Sequence, residues 1–346
     1  MLKTIFKYPT NILGLILVVL LIALFAGCQQ EQAEDQLFLE DGSIKPRVIT
    51  TVSPITSIVE AVGGERITLK GIVPEGVNSH TFDPPPSTAI AFSNADIIFL
   101  NGLYLEEPAL DMALKNKREE SKMVLLGNRT LEKPNWIYDF SFPEAQGVPN
   151  PHLWTDPILA LEYALIVYEE LSTLDPLGET YYQSNYKNFE ARILALDSQI
   201  KIAVLSIPEG NRKLLTYHDS FPYFAKRYGF IVIAAVQPSD FTEPSAREVA
   251  QLIDQVRLEK VPAIFGSNAF PSPVMSQIAQ ETEISFVDDL RDDDLPGGQG
   301  DIGHSYLGLM VENVRTIVMA LGGDAQGLQY VDTSPIFEGK SQVIYP

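Results

Sequence analysis

One helical stripe divides this chain and limits what it can fold into. Tyr182, Tyr186, Phe189, Ile193, Leu196 and Ile200 follow spacings of 4, 3, 4, 3 and 4, so all six fall on a single face of a helix. The helical pattern runs from Leu177 to Ser206, and Pro208-Glu209-Gly210 stops it. Roughly 30 residues at 1.5 Å each give a rod of about 45 Å, long enough to reach across two domains. Four strand-like runs lie on each side of it. Ahead of it come Arg47 to Val52, Arg66 to Val73, Ala95 to Gly102 and Lys122 to Gly127. After it come Lys213 to Tyr217, Phe230 to Val236, Pro262 to Ser267 and Ile284 to Asp288. Helical patterns separate these runs, including "SPITSIVEAVGG" with its Ser53-Pro54 start and Gly63-Gly64 end, and "SAREVAQLIDQVRLEK" over Ser245 to Lys260. Strand, helix, strand in that rhythm predicts α/β architecture. Each of two similar lobes is expected to be a mainly parallel sheet flanked by helices, with one long rigid helix joining them.

The ends carry their own signals. Lys3 and Lys7 precede the apolar run Asn11 to Ala26, and the run ends in "LFAGC". That is the length of a signal-peptide core and short for a membrane span. The small Ala26 and Gly27 ahead of Cys28 resemble the lipobox of bacterial lipoproteins, in which the cysteine is acylated and becomes the first mature residue; an uncleaved anchor helix is the alternative. The expected organisation is a signal peptide over 1–27, a flexible acidic tether over 28–46, a first lobe over 47–176, the connecting helix over 177–207, a second lobe over 208–323 and a tail over 324–346. Cleavage before Cys28 leaves 319 of the 346 residues, enough for two domains. Cys28 is the only cysteine, so the chain can form no internal disulfide and no thiolate-rich metal site. A net charge of −20 argues against nucleic acid as a partner and against adsorption to anionic lipid.

The chain has four histidines. His80 lies in "PEGVNSHTFDPPP" just past the second strand, and His218 follows the strand Lys213 to Tyr217. His152 lies in "NPHLWTDP", where Asp156-Pro157 reads as an N-cap followed by proline at the first helical position. Asp288 is expected to end its strand. Doubly wound sheets bind ligands outside the carboxyl ends of their strands. Three histidines and one aspartate therefore fall at the same edge of their lobes, two in the first half and two in the second. Taken singly, a loop histidine is an ordinary hydrogen-bonded group, and no H-x-x-E-H or C-x-x-C spacing occurs. Trp154, Tyr217 and Phe82, close to these histidines in sequence, suit either a dry wall around a ligand or plain core.

The segments "HTFDPPPS", "ADIIFLNGLYLE", "PHLWTDP", "HDSFPYFAKRYG", "EPSAREVAQLIDQV" and "SYLGLMVENV" resemble, in order, the zinc- and manganese-binding receptor lipoproteins of bacterial ABC importers. The resemblance covers most of 48–323. It implies two α/β lobes joined by a long helix, with a metal held between them by His80, His152, His218 and Asp288. It also implies a receptor, not an enzyme, that hands metal to an ABC permease and its ATPase. The mature protein would be a monomer, lipid-anchored through Cys28 at the outer face of the cytoplasmic membrane. The chain departs from the family at Gly266, Ser267 and Asn268, where members often carry a glutamate, and it lacks the histidine-rich loop of many zinc members. Three imidazoles and one carboxylate favour Zn2+ over Mn2+ or Fe2+ as the transported ligand. A surface adhesin and a metallohydrolase are the rival classes. His304 stands outside the ligand set that the resemblance implies, and "RDDDLPGGQGD" reads as a solvated acidic loop.

Overall fold

Eight parallel strands in two sheets carry the architecture, and each strand corresponds to one of the β-branched runs. The computed structural model describes residues 39, 41–239, 241–268, 271–337 and 343–345. The expected signal peptide, Cys28 and most of the tether lie outside the described residues. The first sheet holds β1 (Arg47–Thr50), β2 (Thr68–Gly71), β3 (Ile97–Leu100) and β4 (Lys122–Leu125) in the order β2-β1-β3-β4. The second holds β5 (Lys213–Thr216), β6 (Ile231–Ala235), β7 (Ala263–Ser267) and β8 (Ser285–Leu290) in the equivalent order β6-β5-β7-β8. In chain order the helices are α1 (Ser53–Gly63), α2 (Thr88–Asn94), α3 (Glu107–Asn116), α4 (Leu126–Thr130), α5 (Pro157–Leu174), α6 (Glu179–Ser206), α7 (Pro222–Tyr228), α8 (Ala246–Glu259), α9 (Pro273–Thr282) and α10 (Tyr306–Ala320).

Local chemistry sets the boundaries. Gly64 ends α1 at φ +51°, returning its N–H to Glu60 O. Asp156 caps α5 by accepting from Ile158 N at 2.9 Å, with Pro157 at the first position. Ser245 and Glu248 close a capping box on α8.

The long helix is α6, 28 residues or about 42 Å. All six residues of the sequence stripe are buried on it. It packs against α1 and α5 from the first half and α10 from the second. A single apolar core runs without a break from Val48 and Ile58 through Phe189 and Ile193 to Leu214, Phe265 and Val314. A smaller cluster, including Ile233, Leu252 and Ile278, fills the outer side of the second sheet beneath α8 and α9. Residues 46–346 thus form one compact unit. After α10, Asn188 and Arg192 of α6 hydrogen-bond the tail at Ile336 O and Ser334 O, and Ile344 pairs with Lys70 beside β2. No helix among the described residues is long and apolar enough to cross a membrane.

One strand differs from its sequence reading. Between β7 and β8 the register shifts: Phe265 faces Val287, but Ser267 faces Leu290. Two steps along β7 oppose three along β8, which is a bulge. Gly266 permits it, since a Cβ there would stand 3.1 Å from Asp288 Cα and from the Phe286 ring. The bulge carries β8 on to Leu290. Asp288 therefore stays inside an edge strand, and the loop that leaves the sheet starts at Arg291.

Candidate metal centre

His80, His152 and His218 converge. Their ring nitrogens lie within 4.8 Å of one another, and they are the one such group of potential metal ligands among the described residues. His152 sits centrally, its Nε2 being 3.3 Å from His80 Nε2 and 3.0 Å from His218 Nε2. His152 and His218 are buried, at 0 % and 1 % exposed. His80 is half-buried beneath aromatic rings: Phe241 stacks on it at 4.3 Å and 21°, and Phe142 lies 5.5 Å away.

Each ring reaches this point for a local reason. His80 follows β2, and Asn78 Oδ1 accepts its backbone N–H at 2.9 Å. His218 follows β5. His152 precedes α5 in a loop held at Pro151 O by Asn101 Nδ2, while Asn101 in turn takes a 2.6 Å hydrogen bond from Tyr163 OH. Beneath that loop Glu106 accepts from Thr51 Oγ1, Asn101 N and Gly102 N. Burial pushes its carboxyl up to about 7.

Amide oxygens set the tautomers. His152 Nδ1 donates to Asn150 Oδ1 at 2.8 Å, because the Asn150 amide nitrogen is already turned to Asp139 Oδ2 and Asp219 O. His218 Nδ1 donates to Gln237 Oε1 at 2.7 Å. With Nδ1 protonated in both rings, Nε2 keeps its lone pair, and both lone pairs face the common point. Burial, and next the neighbouring His218 imidazole, hold His80 and His152 well below the ordinary histidine range. These rings are neutral at pH 7 and ready to act as ligands. Behind Asn150, burial and the adjacent Asp219 push the Asp139 carboxyl up to about 10.

The strand-end position expected for Asp288 is corrected, since β8 runs on to Leu290. Asp288 is exposed on β8 and is not in the histidine group. The bulge in β8 is the reason, since it delays the end of the strand. The acidic run beyond it is buried, not solvated: Asp292, Asp293 and Asp294 are 2 %, 3 % and 5 % exposed. Asp292 is engaged by Ser220 Oγ and Ser267 Oγ. Asp293 Oδ2 accepts from Ser79 Oγ at 2.5 Å, beside His80, while its Oδ1 is buried without a hydrogen-bond partner. Burial and the flanking Asp292 and Asp294 push its carboxyl well above the usual range. Asp294 accepts from Gly76 N, and Glu75 from Leu295 N, which completes a clasp between the loops after β2 and β8.

Of the three nearby aromatics, Trp154 is fully buried. It lies edge-on to His152 at 5.1 Å and donates from Nε1 to Asp292 O. Tyr217 belongs to the smaller outer cluster, and Phe82 is partly buried against the main core. The sequence reading missed Asn150, Gln237, Phe142, Phe241 and Asp293. An aspartate run after a strand and ahead of Pro296-Gly297 was the available signal for Asp293.

Known proteins share this arrangement of lobes. The fold matches the periplasmic zinc binding protein TroA from Treponema pallidum with a TM-score of 0.73 at 28% identity, covering 80% of this chain and 99% of that one. A Mn-bound periplasmic metal binding protein from Candidatus Liberibacter asiaticus matches with a TM-score of 0.69 at 26% identity, covering 80% and 100%. In sequence, the manganese-binding lipoprotein MntA of Halalkalibacterium halodurans is 27% identical over 305 residues, or 88% of this chain and 97% of that one. The family model described as zinc-uptake complex component A, periplasmic, matches residues 48–320. The chain belongs to that family, the substrate-binding receptors of metal ABC importers, which are not enzymes.

Proposed function

We propose that this receptor captures Zn2+ through His80, His152, His218 and Asp293 and delivers it to its permease outside the cytoplasm. The observation that carries the reading is the meeting of the three imidazole groups at one buried point. Four ligands about 2.0–2.1 Å from a tetrahedral centre stand about 3.3 Å apart, and the Nε2 separations of 3.3 Å and 3.0 Å suit that shell. The free oxygen of Asp293 is the buried acceptor that a cation would satisfy. Three nitrogens and one oxygen favour zinc over the harder, oxygen-preferring manganese. Acylation of Cys28 would tether the mature protein, as a monomer, to the membrane. The continuous core around α6 supports release by local opening of the loop clasp in place of a wide hinge motion.

Elemental analysis of protein purified without added metal tests the reading. One equivalent of zinc is expected in the wild type and none in His218→Ala. Asp293→Ala is expected to weaken Zn2+ binding by more than about 100-fold, beyond the usual cost of losing a supporting partner. Asp288→Ala should leave it unchanged within about 0.5 kcal/mol. A large loss in Asp288→Ala with none in Asp293→Ala would reverse the assignment.

Proton counting gives a second check. Folded-state values below the unfolded one mean that His80 and His152 take up protons only under acid conditions. The apo protein should accordingly lose stability as pH falls below about 6.5. At pH 7 these rings have no proton to shed, and Asp293 has at most one. Calorimetry in buffers of different ionisation enthalpy should find about one proton or fewer released per Zn2+. Two or more would mean that the imidazoles start out charged.

A further inference from the structure

The fourth histidine has a lone pair with nothing to hold. His304 lies in the loop ahead of α10, and its side chain is only 4 % exposed. Its Nδ1 is 3.2 Å from Pro296 O. A carbonyl oxygen only accepts, so Nδ1 carries the hydrogen and Nε2 the lone pair. The ring is fixed edge-on to Tyr345 at 5.1 Å and 80°. Nε2 is buried and has no hydrogen-bond partner. A buried acceptor left in this state costs free energy that a ligand can recover.

The group opposite it is a carboxylate. Glu75 Oε1 stands 3.9 Å from His304 Nε2, and the Glu75 side chain is 33 % exposed. Among the described residues it takes one long hydrogen bond, 3.4 Å, from Leu295 N. A gap of 3.9 Å is too wide for a hydrogen bond. Bonds of about 2.0–2.2 Å at tetrahedral angles put two ligand atoms about 3.3–3.6 Å apart, so a movement of a few tenths of an ångström by the part-exposed Glu75 would bring both onto one small cation. Beside His304 opens a cavity of about 430 Å³ whose wall, among the described residues, includes Glu60 and Asp301 but no lysine or arginine.

We propose that Glu75 and His304 form an accessory site for a divalent transition-metal ion, with water completing its shell. The site is separate from the three-histidine centre and does not depend on it. One imidazole and one carboxylate match the donor preference of Zn2+, and two protein ligands make the site much weaker than a four-ligand centre. Glu75 lies on the same loop as His80. Metal here ties that loop to the one before α10.

The test is calorimetric titration of Zn2+ into the full chain. The wild type is expected to bind one tight and one weaker equivalent. His152→Ala should keep only the weaker one, and His304→Ala or Glu75→Gln should keep only the tight one. Adding Glu75→Gln to His152→Ala should weaken what remains at least tenfold. Absence of the weaker equivalent from the wild type overturns the proposal, as does its survival within twofold in both His304→Ala and Glu75→Gln. If His304→Ala does not fold, Glu75→Gln, which alters a partly exposed side chain, decides alone. Loss of the tight equivalent from the wild type with the weaker one retained counts against the central site and leaves this one standing.

Discussion

His152→Ala is expected to lower Zn2+ affinity by at least about 1,000-fold, or about 4 kcal/mol. The position of the ring sets the size of the effect. His152 Nε2 is the middle of the three, 3.3 Å and 3.0 Å from the nitrogens of His80 and His218. Removing it takes out a ligand and also leaves the other two without a shared neighbour. The cavity cannot refill easily, since the site is walled by Trp154 and Phe142 and the ring is wholly buried. A second signature follows from linkage. Metal that binds only the folded state stabilises it by about 4 kcal/mol at a free concentration 1,000 times Kd. The wild type should therefore melt well above its metal-free form, whereas His152→Ala should melt at one temperature with or without Zn2+ as long as free Zn2+ stays below the range of the weaker site. Competition against a chromophoric chelator and thermal melts measure the two effects. A variant that keeps affinity within tenfold of the wild type would rule out His152 as a ligand.

Much of this was legible in the residues because the relevant signals are local or periodic. The stripe from Tyr182 to Ile200 needs only helical geometry, and it marked both the long helix and its buried face. The β-branched runs located all eight strands, because strands buried on both faces in parallel sheets are almost continuously apolar. His80 and His218 were found as the first polar ligand types beyond strand ends. Asp288 was misplaced because a strand's end depends on its partner as well as its own residues. The bulge opposite Gly266 is a property of the β7–β8 pairing and carries the strand past Asp288 to Leu290. Asn150 and Gln237 escaped notice for a similar reason. Their task is to accept one hydrogen from one imidazole ring, and Gln237 lies 19 residues from its histidine. No period or spacing encodes a contact of that kind.

Trp154 joins packing to function, and its replacement should have the largest effect on stability. The indole is fully buried. Its Nε1 donates to Asp292 O at 2.8 Å, its carbonyl accepts from Tyr306 OH at 2.7 Å, and its ring stands against His152. It therefore ties the loop before α5, which carries His152, to the loop after β8, which carries Asp293. Trp154→Ala is expected to cost about 3–5 kcal/mol of folding stability, the range for emptying a large aromatic site in a core. Trp154→Phe separates the two roles. Phenylalanine keeps most of the apolar contact but strands the Asp292 carbonyl, at about 1–3 kcal/mol for an unsatisfied buried acceptor. With that tether gone, Asp293 loses its fixed position beside His80, and Zn2+ affinity should fall by about 10–100-fold, as for other lost supporting contacts of a metal site. Chemical denaturation of the metal-free protein and chelator competition read the two quantities independently. Should Trp154→Phe lose stability yet keep full affinity, the Trp154–Asp292 hydrogen bond would be structural alone, and the carboxylate would have to be held by Ser79.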